Sequence, residues 1–362
     1  MTRRRARKLA WALGGVGLVC TGLGCSTEPA AFPHAWLAAF TAWLMWPLGC
    51  LGLLLIHALT GGRWGHALRP QLVAGMRTLW LLVPAAVPWL LTLPQLYLWV
   101  RPGVATHLPN GFYLNRPFFF GRMALYLVAW LGLRALTLRA LQAAQPDRAL
   151  AQIAPGGLIT LALTVTFSTI DLTMSLDPHF TSSVYGLITM AEMGLFALSV
   201  AVCAASIANP STPPELLAVL GKLLLGLVLL WAYLDFMQLL IVWESDLPAE
   251  AAWYLIRTSG KWGLAGALIS ATHFVLPWCA LIWPKVRRSP SGIAAITALL
   301  VLSAIVRSWW LVVPASGLNF DSIHVATMLC LLGVGAAISL QEPHNRPLMP
   351  VRHRAAGEHH GG

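Results

Sequence analysis

The segment Thr169-Ile-Asp171-Leu-Thr-Met-Ser175-Leu-Asp177-Pro-His179 places a carboxylate inside an apolar run, and an acid, a proline and a histidine where that run ends. A carboxylate in a hydrocarbon-length helix costs about 3 kcal/mol on insertion scales, so it belongs in a bundle interior or a watery cavity. The same logic singles out Glu192, Asp235, His273, Arg122 and Arg307, which all lie within apolar runs. Three acids can carry protons, and two arginines can balance part of their charge, which lowers the cost of burying them. Asp171, Glu192, Asp235 and His273, with Asp177 and His179 at the exit, are therefore the candidate proton relay. Arg122 and Arg307 are the candidate charge-balancing groups. The plainer reading has the arginines snorkelling to the surface, His273 as a packed side chain and Asp177-Pro178 as a turn.

These groups must be positioned by long apolar elements. Of 362 residues, 57% are hydrophobic and 10% charged, and mean hydropathy is +0.70. Ten apolar blocks approach the length of about 20 residues that crosses a bilayer: Leu9–Cys25, Trp36–Leu59, Leu79–Val100, Phe118–Leu138, Gly156–Ser175, Val184–Ile207, Leu216–Trp243, Gly263–Trp283, Gly292–Val313 and Ile323–Leu340. Lipid offers no partner for a free backbone group, so the blocks must be helices. The fold class is all-α and polytopic. Residues 1–345 form one membrane domain, and 346–362 form a short polar tail. The N-terminal block resembles a secretory signal, but is read as a retained first helix.

With a cytoplasmic N-terminus, that side collects Arg3, Arg4, Arg5, Arg7, Lys8, Arg63, Arg69, Arg77, Arg134, Arg139, Arg148, Lys222, Lys285, Arg287, Arg288, Arg346, Arg352 and Arg354. The other side receives Arg101, Arg116, Arg257 and Lys261. This bias predicts both termini in the cytoplasm. The net charge of +11 thus reads as topology and contact with anionic lipid. Its dispersal among loops argues against nucleic acid as a partner.

In this orientation Arg122, Asp171, Glu192, Asp235 and Arg307 fall in the outer half of the membrane and His273 near its middle, at about 1.5 Å per residue. A hydrated cavity opening outward and lined by the three acids is expected. Thr160, Thr164, Ser168, Asp171 and Ser175 form one stripe, and Tyr185, Thr189, Glu192 and Ser199 another. Such hydroxyls commonly bond their own helix carbonyls. The outer loop after the seventh block, Trp243 to Tyr254, carries Glu244, Asp246 and Glu250. Together with Trp243 and Trp253 it is the candidate partner-contact surface, or alternatively a solvated cap with an interfacial aromatic belt. Cys20, Cys25, Cys50, Cys203, Cys279 and Cys330 show no paired spacing for a metal, an iron–sulfur cluster or covalent haem. His57 and His273 are the only histidines well inside the blocks.

From about Trp36 to Arg288 the chain resembles the F subunit of bacterial alternative complex III, a quinol:cytochrome c oxidoreductase. The F subunit is a relative of the NrfD/PsrC-type membrane subunits and is described as a quinone-binding subunit. The resemblance rests on Thr169 through Gly186, on Trp231-Ala-Tyr-Leu-Asp-Phe-Met-Gln238-Leu-Leu-Ile-Val-Trp243, on Leu247-Pro-Ala-Glu250 with Trp253-Tyr254, and on His273-Phe-Val-Leu-Pro277. It implies about ten helices in two four-helix bundles plus flanking helices, placed in the bacterial inner (cytoplasmic) membrane. It also implies a homologous quinol-oxidising membrane subunit, periplasmic multihaem cytochrome and iron–sulfur subunits as partners, and no cofactor on this chain, with quinone or quinol handled by the complex. Asp171, Asp177, His179, Gln238, Trp243 and Glu250 match its motifs. Phe180 and Asp246 stand where Trp and Asn are expected, Met237 where Ser is common, and Asp235 where a small apolar residue is usual, so a divergent branch is an open alternative.

Two other functions compete. A secondary transporter would use the buried acids to bind H⁺ or Na⁺, and would show broken helices and repeats. A passive anchor would gain nothing from them. On the leading reading, Asp171→Asn leaves the assembly intact and impairs proton movement.

Overall fold

A computed structural model describes residues 2–101, 104, 108 and 110–341. Among these there is no strand, and ten helices are long and apolar enough to span a membrane. They are α1 (Arg3–Thr27), α2 (Phe32–Thr60), α3 (Arg63–Leu91), α4 (Arg116–Leu141), α5 (Pro146–Leu176), α6 (Tyr185–Ala208), α7 (Pro214–Ser245), α9 (Gly260–Ile282), α10 (Pro290–Ser316) and α11 (Ser322–Ser339). A short helix, α8 (Pro248–Thr258), lies between α7 and α9. The tail 346–362, with Arg346, Arg352 and Arg354, lies outside the described residues.

Local sequence explains the helix starts. Proline sits in the first turn of α4, α5, α7, α8 and α10, where its missing N–H is no loss. The Asn115 side chain accepts from Phe118 N at 3.0 Å and caps α4. Asp321 and His324 form a reciprocal cap on α11.

Two spans are interrupted. In α3 a 3₁₀ stretch, Thr78–Leu81, joins two α segments. In α9 a π segment, Ser270–Val275, ends just before Pro277, whose ring nitrogen cannot donate to the His273 carbonyl. The third span also differs from its expected bounds of Leu79–Val100. It starts at Arg63, because the arginine-bearing first half buries Leu68, Leu72, Val73 and Met76 and packs on α2. It stops at Leu91, after which the chain makes a single turn, Leu93–Leu96.

Helix α2 is the axis of the molecule. It packs on α3, α5, α6, α10 and α11 and is the most deeply buried of the ten spans. Helices α2–α5 contact one another in succession, as do α6, α7, α9 and α10. Because α2 also joins α6 and α10, the contacts alone do not divide the span into two bundles. Helix α1 is held almost entirely by α11, its Gly14 and Gly17 lying against the backbone at Val334 and Cys330. Close approach through small residues is how membrane helices gain packing contact.

Candidate functional site

The buried charges form two separate ionic clusters. In the first, Arg122 of α4 donates to Asp171 of α5 through Nε (2.9 Å to Oδ2) and Nη2 (2.6 Å to Oδ1). Tyr126 donates to the same carboxylate at 2.8 Å, and Arg122 Nη1 donates to the Tyr113 carbonyl at 3.0 Å. The guanidinium also lies 3.7 Å above the Tyr113 ring. Asp171 is fully buried, so every part of this carboxylate's charge is met by protein.

In the second cluster, Arg307 of α10 bridges two acids. Nη1 donates to Glu192 of α6 at 2.6 Å and Nη2 to Asp235 of α7 at 2.5 Å. Glu192 is buried, whereas the Asp235 side chain is 38% exposed. Glu192 Oε1 is buried without a hydrogen-bond partner. With both acids ionised the triad carries one uncompensated negative charge. Arg307 also lies 5.2 Å from the Trp231 ring, which meets His273 edge-on at 4.4 Å. Both His273 ring nitrogens are buried and unpartnered.

Neither arginine snorkels. The expected single cavity lined by Asp171, Glu192 and Asp235 is not formed, because Arg122 holds Asp171 at the α4–α5 seam while Arg307 holds Glu192 and Asp235 where α6, α7 and α10 meet. A small cavity of about 40 Å³ lies between α2, α5, α6 and α10, and of the three acids only Glu192 lines it. The hydroxyl stripes do bond their own helices: Thr164 donates to the Thr160 carbonyl and Ser175 to that of Asp171.

At the end of the bundle nearest these clusters, α8 folds back over the helix termini. Thr181 donates to Glu250 at 2.9 Å, Ser182 to Gln238 at 2.7 Å, and Gln238 to the Tyr254 hydroxyl at 3.0 Å. A groove of about 440 Å³ runs along this network between Ser182, Gln238 and Glu250, a volume in the range of small-molecule sites. Asp177 turns its carboxylate to the His179 backbone N–H at 3.0 Å, while the His179 side chain points outward, 63% exposed. Both remain at the surface, apart from the clusters.

The proposed partner-contact surface needs correction. Trp243, Glu244 and Asp246 are exposed and Glu250 is partly so, but Trp253 is 1% exposed. Its ring stacks on Phe180 at 4.5 Å and lies 3.7 Å from the Arg257 guanidinium. Sequence reasoning missed Arg257, taken there as a loop cation. It is buried, and donates to the carbonyls of Trp253 (2.9 Å) and Leu311 (2.7 Å). Burial lowers its pKa to about 10, with the nearby Tyr185 hydroxyl foremost among the groups opposing that shift. It stays charged at neutral pH. The helical spacing of Trp253 and Arg257, one turn apart on α8, was the available signal. Two histidines were missed as well: His34 in α2 and His324 in α11 are buried, as His57 and His273 are.

Among the described residues no three His, Cys, Asp or Glu gather as a metal site. No protein-family model matches the chain, and no curated protein matches it.

Proposed function

We propose that this chain is an integral membrane subunit of a bacterial quinol-oxidising respiratory complex that delivers electrons to cytochrome c, and that its buried acids take part in proton movement. One observation carries the proton role: the Glu192–Arg307–Asp235 triad has an acid in excess and leaves Glu192 Oε1 buried without a partner. Such an oxygen is a natural proton acceptor, since protonation removes the net charge from a low-dielectric site. Asp171, clamped by Arg122 and Tyr126, is better suited to hold α4 against α5.

The link to quinol oxidation rests on the sequence resemblance. Its motif residues Gln238 and Tyr254 bond each other, and Glu250 bonds Thr181, at one end of the bundle, where a quinol headgroup or a neighbouring subunit would meet the chain. On this reading the chain binds no haem, flavin or cluster, its partners are a homologous membrane subunit and periplasmic multihaem and iron–sulfur subunits, and its place is the inner membrane. The test uses proteoliposomes containing complexes of verified subunit content. Glu192→Gln lowers quinol-driven turnover or its coupled proton release about tenfold, or about 1.4 kcal/mol in barrier. Unchanged rates in assembled complexes refute the proton role.

An ion-coupled transporter is the second reading, favoured by the interrupted helices α3 and α9. Breaks of this kind line ion sites in such proteins.

A further inference from the structure

The cavity beside Glu192 sets six hydroxyls among leucine and methionine side chains. Its hydroxyls belong to Thr41 of α2, Ser168, Thr169 and Thr173 of α5, Thr189 of α6 and Ser308 of α10. Each donates its hydrogen to a carbonyl of its own helix: Thr41 to Ala38 at 3.0 Å, Ser168 to Val165 at 3.0 Å, Thr169 to Val165 at 2.7 Å, Thr173 to Thr169 at 3.0 Å, Thr189 to Tyr185 at 3.1 Å and Ser308 to Ile305 at 2.7 Å. A hydroxyl has one hydrogen and two acceptor lone pairs, so these six groups have only lone pairs left to offer. An ionised carboxylate is likewise acceptor-only. Glu192 Oε2 is engaged by Arg307, whereas Oε1, on a residue 2% exposed, is free.

Three facts therefore coincide. The polar side chains of the wall are acceptors, the adjoining triad carries one net negative charge, and the space of about 40 Å³ exceeds the roughly 10–15 Å³ that one water needs. A water would find acceptors for its hydrogens but no side-chain donor for its lone pairs, whereas a cation would meet an oxygen in every polar side chain of the wall, beside the apolar Leu44, Met45, Leu172, Met193 and Leu311.

We propose that this cavity binds a single hard monovalent cation, Na⁺, with Glu192 as its anionic ligand and the cavity hydroxyls supplying further oxygens. Oxygen-only ligation is what hard cations select, and one positive charge cancels the excess of the triad. A proton on Glu192 is the competitor for the same charge. The charged and titratable groups facing Glu192 are Arg307 from α10 and Asp235 from α7, with Tyr185 two turns earlier on α6. From α2 and α5 only hydroxyls and apolar groups line the cavity. The inference uses the Glu192 site of the proton reading but requires no quinol.

The test is equilibrium uptake of radiolabelled Na⁺ by the purified full chain in detergent, with choline chloride holding ionic strength, alongside thermal melts in NaCl, KCl and choline chloride. The wild type takes up Na⁺ saturably, one per chain, and melts higher in NaCl. Glu192→Gln abolishes uptake, while Asp147→Asn, which removes the exposed acid paired with Arg69 at the start of α5, leaves it intact. Thr173→Val and Thr189→Val keep shape and charge, guard against misfolding of the Glu192 variant, and weaken Na⁺ binding about tenfold. No saturable uptake by wild type up to about 100 mM, uptake unchanged in Glu192→Gln, unchanged affinity in both valine variants, or identical melts in all three salts overturns the proposal. Loss of proton release in Glu192→Gln complexes without Na⁺ binding by wild type removes this inference and leaves the quinol reading standing.

Discussion

Arg122 grips Asp171 with two nitrogens of its planar fork, at 2.9 and 2.6 Å, so one guanidinium and one carboxylate neutralise each other across the α4–α5 seam. Bidentate pairs of this kind are the strong, geometrically specific ones. The pair is also a liability, because removing one member leaves the other buried and charged.

The first prediction follows from that liability. Asp171→Asn strands Arg122 and destabilises the chain by about 3–5 kcal/mol. This reverses the expectation from sequence position, that the variant assembles normally. Replacing both residues with apolar ones of similar size recovers most of the loss. A double-mutant cycle on the apparent melting temperature in detergent measures the coupling, and additive losses would show that the clasp contributes nothing.

Arg307 supports a second prediction. It holds Glu192 and Asp235 through different nitrogens, a geometry that a compact ammonium does not reproduce. Arg307→Lys therefore loses one charged hydrogen bond, about 1.5–3 kcal/mol. The loss disappears in an Asp235→Ala background, where only one acid needs an arginine nitrogen. An equal loss in both backgrounds, read by thermal melts, would refute the bridging role.

Trp253 and Trp243 separate packing from exposure. Trp253 is 1% exposed between Phe180 and Arg257, while Trp243 is 75% exposed. Trp253→Ala costs about 3–5 kcal/mol, and Trp243→Ala shifts stability by no more than about 0.5 kcal/mol. If the two variants melt alike in detergent, α8 does not cap the bundle.

Much of this arrangement was legible in the sequence because lipid is an exacting solvent. Ten apolar lengths had to be helices, and charges inside them had to meet. Which arginine takes which acid was not legible, since that depends on the rotation of α4, α5, α6, α7 and α10 about their axes. The start of α3 was hidden because Arg63, Arg69 and Arg77 depress hydropathy in a segment that still buries Leu68, Leu72 and Met76. Trp253 read as an interfacial residue because its one-turn spacing to Arg257 in an eleven-residue helix marks a shared face without saying whether that face meets the bundle. Of the hydroxyls around the Glu192 cavity, only those of Ser168 and Thr189 stood out in sequence, in the stripes on α5 and α6, while Thr41 of α2 and Ser308 of α10 did not.

Topology gives a fourth prediction. Arg3 Nη2 reaches the Gln341 carbonyl at 3.3 Å, which puts the start of α1 and the end of α11 on one side, as ten spans require. The basic bias predicts that this side is the cytoplasm. Reporter fusions at Arg288 and Asp246 then report cytoplasm and periplasm respectively. The opposite pattern would invert the membrane, and would leave Glu192 and Arg307 in its inner half.

The last prediction concerns how α1 is held. Its buried residues, Ala10, Gly14, Gly17 and Thr21, form one narrow stripe, and its remaining surface exposes Leu9, Trp11, Val16, Leu18 and Val19. A Cβ on Gly17 would collide with the backbone at Cys330 and Ala326, whereas a Cβ on Gly15 would meet nothing within 4 Å. Backbone does not yield as a flexible side chain does, so Gly17→Val must push α1 away from α11, while Gly15→Val only adds a lipid-facing methyl pair. Since α1 has little other contact, Gly17→Val frees it without unfolding α2–α11. Spin labels at the ends of α1 and α11 should therefore report a longer, broader distance in Gly17→Val and the wild-type distance in Gly15→Val. Equal distances in both variants would mean that the α1–α11 seam does not depend on close backbone approach.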